Sequence, residues 1–311
     1  MTILVAANFD ADEWRAWWEP LVAALPNERL VRDRGQCDPA QIDIALVANP
    51  PAGALQGLPS LKLIQSLWAG VDKLLADPSV PTQVPLARMV DPAMNATMAE
   101  TALWAVLGLQ REFFDYAMQQ QAGEWRQRPL RRADEMQVAV LGLGQMGQST
   151  ARALVRQGYR VTGWSTRETP LEGVRTCAGA AALAPLLASA DVVINLLPLT
   201  PATRGLFNRD TFATLPRGAS LVNLARGAHV VEADLLEALA SGQIARAVLD
   251  VFHTEPLPRG HAFWSHPRVT MLPHIAAPTD PRSAGPIAAA NVRALREGRP
   301  LAHLVDRARG Y

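Results

Sequence analysis

Residues 138–154 read VAVLGLGQMGQSTARAL. An apolar run leads into a glycine-rich turn, and a helical pattern follows. Gly142, Gly144 and Gly147 stand at the spacing G-x-G-x-x-G. That spacing serves three needs: a tight turn, close backbone approach to a pyrophosphate, and close packing of helix on strand. The helix start then offers unpaired N–H groups and the positive end of its dipole. Glycine-rich turns also occur for packing alone. Here the strand before and the helix after together point to a dinucleotide, held at Gly142, Gly144, Gln145, Met146 and Gly147.

A strand–turn–helix unit of this kind belongs in a parallel sheet with crossover helices. The rest of the chain agrees. TILVAA, IDIALVA, LKLIQSL and VPLARMV read as strands ahead of the turn, the last closed by Asp91–Pro92. QVAVLGLG, YRVTGW, DVVINLLP, ASLVNLA and ARAVLDVF read as a second series. Met94 to Gln121 reads as one continuous helix, and residues 124–135, EWRQRPLRRADE, as a polar surface connector. PIAAANVRALREG reads as a closing helix, and PLAHLVD as a tail that folds back. The expected architecture is α/β: two Rossmann-like or flavodoxin-like domains with parallel sheets. A central dinucleotide-binding domain, 99–279, is inserted into a discontinuous substrate domain, 1–98 plus 280–311.

With 311 residues, length alone suggests about two domains. A formal net charge of +1 gives no electrostatic reason to expect nucleic acid or a membrane surface. No run approaches the roughly 18 uncharged apolar residues that a spanning helix needs. The opening MTILVAANFDADEW places acids directly after its apolar run, without a basic leader, and reads as a first strand. Cys37 and Cys177 are the only cysteines, too few for a disulfide framework, so a cytoplasmic location is expected.

The second strand of the central domain ends in Trp164-Ser165-Thr166-Arg167. A carboxylate there would bind the adenosine ribose hydroxyls of NAD and repel a 2′-phosphate. Ser165 and Thr166 can instead donate to phosphate oxygens, and Arg167 can make a forked, charge-assisted contact. The alternative is a solvated turn. The expectation is NADP(H) preferred, with NAD(H) possible.

Four further stretches carry a family likeness: SLWAGVD, NLARGAHVVEADLLEAL, LDVFHTEPLP and LPHIAAPT, with LPLTPATRGLFN between. In this order they resemble the D-isomer-specific 2-hydroxyacid dehydrogenases over nearly the whole chain. Within that family the chain is similar to the glyoxylate/hydroxypyruvate reductase A group, down to the terminal VDRARGY. The resemblance implies a substrate that is a small 2-oxo or 2-hydroxy acid, and reduction by hydride transfer from the nicotinamide.

It also implies roles. Arg226 grips the carboxylate and polarises the C2 carbonyl, chemistry that a guanidinium suits; a lone Arg at a strand end is otherwise a surface ion-pair partner. Glu255 and His274 form an acid–base pair. Histidine titrates near neutrality, and a neighbouring carboxylate favours its protonated form. Glu255 further weighs against the formate-dehydrogenase branch, which carries Gln there. The backbone of Ala69 and Gly70 cradles the carboxylate, or forms only a tight turn. Trp68 narrows the pocket toward short acids, or belongs to the core. Asp250 meets the nicotinamide carboxamide, or caps a turn. Trp264 lines the pocket, or is a buried anchor. Leu197, Pro198, Thr203 and Ala225 lie along the cofactor, together with Arg226 and His274. Closure about hinges near Met94 and Pro278 is expected, as is a homodimer through the region of the long helix.

Some readings fail on spacing. His253, His261, His266 and His274 match no common zinc motif, so no metal is expected. Arg126, Arg128, Arg131 and Arg132 lack interleaved aromatics and read as a solvated connector rather than a nucleic-acid patch. GLGQMG also resembles the β-hydroxyacid dehydrogenase fingerprint, but those chains place it at the N-terminus and use a catalytic Lys. Relatives of the same fold also act as NAD(H)-sensing corepressors, a reading that an activity assay separates.

Overall fold

The computed structural model describes all residues from Met1 to Tyr311. The chain divides into two compact units, 1–94 with 279–311, and 95–278.

The first unit is built on β1 (Thr2–Ala7), β2 (Arg29–Val31), β3 (Ile42–Ala48), β4 (Leu63–Ser66) and β5 (Leu86–Ala87), with helices α1 (Ala11–Ala24) and α2 (Asp72–Ala76). All pairs are parallel, in the order β2-β1-β3-β4-β5. This is the flavodoxin-like arrangement. Every residue of β3 is buried, as a central parallel strand covered on both faces requires. Its one charge, Asp43, is neutralised by Arg296, which also pairs with Glu28 at 2.8 Å. The tail does fold back: Arg88 N–H donates to the His303 carbonyl at 3.0 Å and Val305 N–H to that of Leu86 at 2.8 Å.

The second unit contains helices α3 (Pro92–Gln110, whose first residues belong to the first unit) and α4 (Phe113–Ala122). Then follow β6 (Gln137–Leu141), α5 (Gln145–Arg156), β7 (Arg160–Ser165), β8 (Arg175–Ala178), α6 (Ala180–Leu187), β9 (Val192–Asn195), α7 (Arg209–Thr214), β10 (Ala219–Asn223), α8 (Glu232–Ser241), β11 (Ile244–Leu249) and β12 (Val269–Met271). The seven parallel strands run β12-β11-β10-β9-β6-β7-β8. Ala139, Leu141 and Val193 enter one apolar core; Val138, Val140, Val192 and Ile194 enter the other. The order reverses between β6 and β9. In such sheets ligands bind outside the carboxyl ends of the strands at that reversal. The final helix, α9 (Pro281–Arg296), belongs to the first unit.

Two expectations need correction. The helix over Met94–Gln121 is not continuous: Glu112 adopts φ 54° and separates α3 from α4. The chain turns back so that Phe114 packs on Gly108, where a Cβ would lie 2.5 Å from the ring, and meets Trp104 edge-on at 5.4 Å. Asp115 then reaches the buried Arg246 at 3.1 Å. Helical periodicity carries through such a break because both segments are helical. The sheets also contain three strands that the apolar runs do not mark, β2, β8 and β12, which have only three or four residues each and carry little apolar alternation.

Candidate active site

At the end of β6, Gly142 takes φ 99°, and a Cβ on it would lie 2.7 Å from the Leu196 carbonyl oxygen. A Cβ on Gly147 would overlap the Gly142 carbonyl oxygen. Packing and backbone conformation therefore demand glycine at both positions. Gly144 differs. Its φ is −69°, open to any residue, and a Cβ there meets nothing within 4 Å. The N–H groups of Gly144, Gln145 and Met146 donate to no acceptor in the protein. The middle glycine leaves a smooth backbone with free donors at a helix start, which suits a pyrophosphate. Gly163, on the neighbouring strand, is explained by packing alone: a Cβ would lie 2.5 Å from Leu143.

At the end of β7 the Ser165 hydroxyl donates to the Arg167 carbonyl and lies 3.0 Å from Thr169 Oγ1. That turn leaves Thr166 and Arg167 exposed, and Arg167 forms no ion pair.

Beyond β11, Asp250 is 1% exposed, and burial pushes its carboxyl above the usual range. Its carboxylate accepts from Ile275 N–H at 2.7 Å and Ala276 N–H at 3.0 Å, while its carbonyl accepts from His274 N–H at 2.8 Å. Asp250 thus caps the turn that carries His274. His274 itself sits at φ 57°, a left-handed conformation that a non-glycine residue holds only when its surroundings impose it. The imposed turn brings His274 Nδ1 to 2.8 Å from Glu255 Oε2. Glu255 Oε1 accepts from Phe252 N–H at 3.0 Å, so the carboxylate is held at both oxygens. With Nδ1 on the carboxylate, Nε2 is the ring nitrogen left to exchange a proton with another molecule. Gly227 joins this loop to the Arg226 turn: a Cβ on it would overlap the Phe252 backbone. Arg226 donates from Nη1 to the Ala225 carbonyl at 2.7 Å and is half-buried.

Comparison with known proteins identifies the family. The family model for the NAD-binding domain of D-isomer-specific 2-hydroxyacid dehydrogenases matches residues 103–276. A glyoxylate/hydroxypyruvate reductase A from Serratia proteamaculans is 44% identical over 308 residues, 97% of each chain. The chain belongs to the D-isomer-specific 2-hydroxyacid dehydrogenase family. The crystal structure of such a dehydrogenase from Xanthobacter autotrophicus, in complex with NADPH and MES, is 41% identical with a TM-score of 0.94, covering 100% of this chain and 99% of that one. That of an NADPH-dependent glyoxylate/hydroxypyruvate reductase from Sinorhizobium meliloti, with NADP and sulfate, is 35% identical with a TM-score of 0.93 and the same coverage.

As a member of this dehydrogenase family the protein is an NAD(P)-dependent oxidoreductase, and the β-hydroxyacid dehydrogenase alternative falls away. The structure gathers Gly142 to Gly147, Leu197, Pro198, Ala225, Arg226, Asp250, Glu255 and His274 at the carboxyl ends of the strands of one sheet. The half-buried Thr203 donates its hydroxyl within its own loop, to the Pro198 carbonyl at 2.7 Å. The reading of Trp264 as a buried anchor is corrected: it is 58% exposed, its indole N–H on the Pro258 carbonyl, while the adjacent Phe263 is the buried ring. In an FW pair on a short turn, sequence alone does not say which ring points inward.

In the first unit, Ser66 Oγ accepts from Trp68 N–H at 3.0 Å and donates to the Trp68 carbonyl at 2.9 Å. The indole lies edge-on to Trp17 at 5.5 Å and Phe9 at 6.0 Å. Trp68 is half-buried and held by aromatic neighbours. The N–H groups of Ala69 and Gly70 donate to no acceptor in the protein. No group of three or more His, Cys, Asp or Glu is placed to hold a metal, and no helix is long and apolar enough to cross a membrane.

Sequence reasoning missed Asn195, Asn223 and His229, all 0% exposed. The available signal was that VVIN and SLVN, two strands of the same series, both end in Asn.

Proposed function

We propose that the protein is an NADPH-dependent reductase of small 2-oxo acids, glyoxylate and hydroxypyruvate in particular. The observation that carries this is the Glu255–His274 pair at 2.8 Å, in a chain 44% identical to a glyoxylate/hydroxypyruvate reductase A. The residues present suit the cofactor: Gly144 has space where a Cβ would otherwise stand, and free N–H groups follow it. These donors take the phosphates, while Thr166 and Arg167, with Ser165 shaping their turn, take the 2′-phosphate. NADPH-bound and NADP-bound neighbours support the choice; NAD(H) is the second cofactor to be compared. Leu197, Pro198, Thr203 and Ala225 flank the cofactor, and Asp250 keeps carboxylate lone pairs for the nicotinamide carboxamide.

When bound, the cofactor supplies the hydride that reduces C2. Arg226 binds the substrate carboxylate and draws electron density toward the carbonyl oxygen. In the first unit, the free backbone N–H groups of Ala69 and Gly70 suit a small carboxylate and Trp68 restricts its size; in the second, Trp264 is the aromatic side chain assigned to substrate. His274 delivers the Nε2 proton to the forming alkoxide, and Glu255 stabilises the cation that precedes transfer. The products are glycolate and D-glycerate. Exposed Trp104, Phe113, Trp125 and Leu130 on α3, α4 and the following connector support a homodimer, checked by sedimentation. The two half-buried free thiols suit the cytoplasm.

The test is kcat/KM for both acids with NADPH and with NADH. Turnover with a strong NADPH preference is expected, reduced in Arg167→Ala. Equal use of NADH would overturn the role of the Ser165–Arg167 turn, and binding of NADPH without turnover would overturn the reductase assignment in favour of a sensor.

A further inference from the structure

At the paired ends of β9 and β10, Asn195 and Asn223 are register partners, and both are fully buried. Asn195 Nδ2 lies 2.9 Å from Asn223 Oδ1 and 2.9 Å from His229 Nδ1. Asn195 Oδ1 accepts from Leu197 N–H at 3.2 Å, so the amide orientation is fixed by its neighbours. Asn223 is fixed likewise: Oδ1 accepts from Ala225 N–H at 3.3 Å and Nδ2 donates to the Arg226 carbonyl at 2.9 Å. Both hydrogens of Asn195 Nδ2 therefore point at acceptors, and one of these is His229 Nδ1. An imidazole that accepts at Nδ1 carries its proton at Nε2. His229 Nε2 lies 3.2 Å from the Pro198 carbonyl, which fits donation from that proton. Pro198 also accepts from Thr203 Oγ1, so both of its lone pairs are used.

We infer that His229, as a neutral imidazole protonated at Nε2, is a positioning residue that ties the 197–205 loop to the 224–230 turn. One buried network then sets the backbone on both sides of the site. On one side lie Leu197, Pro198 and Thr203; on the other lie Ala225 and the carbonyl of Arg226. This rests on the reading above, in which the first loop faces the cofactor and Arg226 binds the substrate. Nothing in the chemistry requires a histidine there. The geometry requires a group that accepts from Asn195 and donates to Pro198 across one ring width. Polar networks of this kind specify a single arrangement only when every member is satisfied.

Three measurements test it. In the wild-type protein, ¹⁵N NMR of the His229 ring should show a neutral Nε2–H tautomer across the neutral range; a Nδ1–H or charged ring overturns the network. In His229→Ala, hydrogen exchange should lose protection over 197–205 and 224–230 together; loss in only one segment overturns the coupling. The same variant should show weaker NADPH binding and a kcat/KM for glyoxylate about 10- to 100-fold lower, the cost of a small misplacement at a reacting centre. His229→Gln, which can accept and donate along a similar line, should recover both. Unchanged kcat/KM in His229→Ala, with only the melting temperature lowered, would make His229 merely structural. If the wild-type protein turned over no 2-oxo acid, the proposed function would fail, while the tautomer and exchange measurements would still decide this inference.

Discussion

Gly144→Ala and Gly147→Ala look alike in sequence, two alanines in one glycine-rich turn, yet the structure separates them. At Gly147 the new Cβ overlaps the Gly142 carbonyl oxygen, so α5 must move away from the end of β6. Overpacking of this kind costs about 3 kcal/mol, at the upper end of its usual range, because backbone rather than a flexible side chain must yield. At Gly144, with φ −69° and nothing within 4 Å, the folded state accepts Ala. Reduced freedom of the unfolded chain favours the variant by about 0.4–1 kcal/mol. Ala is a poorer N-cap than Gly by a comparable amount, on the order of 0.5–1 kcal/mol. The two nearly cancel. The added methyl instead stands where the pyrophosphate approaches. Losing one hydrogen bond to a charged group costs about 1.5–3 kcal/mol, which is roughly 10- to 150-fold in Kd. Calorimetry and fluorescence titration with NADPH measure both quantities. Gly144→Ala should melt near wild type and bind NADPH poorly; Gly147→Ala should melt far lower. Wild-type NADPH affinity in Gly144→Ala, or a melting loss equal to that of Gly147→Ala, would refute the argument that a ligand imposes the middle glycine.

Three further outcomes are expected. Gly227→Ala, whose Cβ overlaps the Phe252 backbone, should destabilise by about 1–3 kcal/mol and lower kcat/KM by about 10²-fold, because it separates the Arg226 turn from the Glu255 loop; a urea titration beside steady-state kinetics checks both. Glu255→Gln keeps the shape of the contact with His274 but removes its charge, so kcat should fall about 10²-fold with NADPH affinity unchanged; wild-type kcat would remove Glu255 from the acid–base pair. Asp250 carries the pH prediction. Burial raises its carboxyl, so its contribution to stability is present below the unfolded value of about 3.9 and is lost as pH rises through the folded value. The stability of wild type relative to Asp250→Asn should therefore decline as pH rises above about 4, read by urea unfolding at successive pH values; a flat difference would refute it.

Much of the architecture was legible because its signals are local. The apolar runs that became β1, β3, β6, β9, β10 and β11 are buried along most of their length, as strands covered on both faces must be. The short half-exposed β2, β8 and β12 carried no such signal. The break at Glu112 was hidden because Phe114 meets Gly108 and Trp104 only once the chain has turned back. In the site, Arg226, Glu255 and His274 were found through family motifs rather than through residue chemistry. Asn195, Asn223 and His229 were passed over, since a buried Asn at a strand end reads the same as an exposed one.

Local patterns in the chain are enough to specify an α/β protein with a dinucleotide turn at Gly142–Gly147 and a terminal tail returning to its first unit. Hydrophobic period, glycine spacing and strand–helix alternation act within a few residues, so they survive in one dimension. Which strand ends lie side by side is settled by long-range packing. The order β9-β6 places Leu197 beside the glycine turn, and the register Asn195–Asn223 creates the network around His229. The cap from Asp250 holds His274 at a positive φ, 2.8 Å from Glu255. Those contacts join residues distant in sequence, and their cost in chain entropy is met by the whole packed sheet rather than by any local motif.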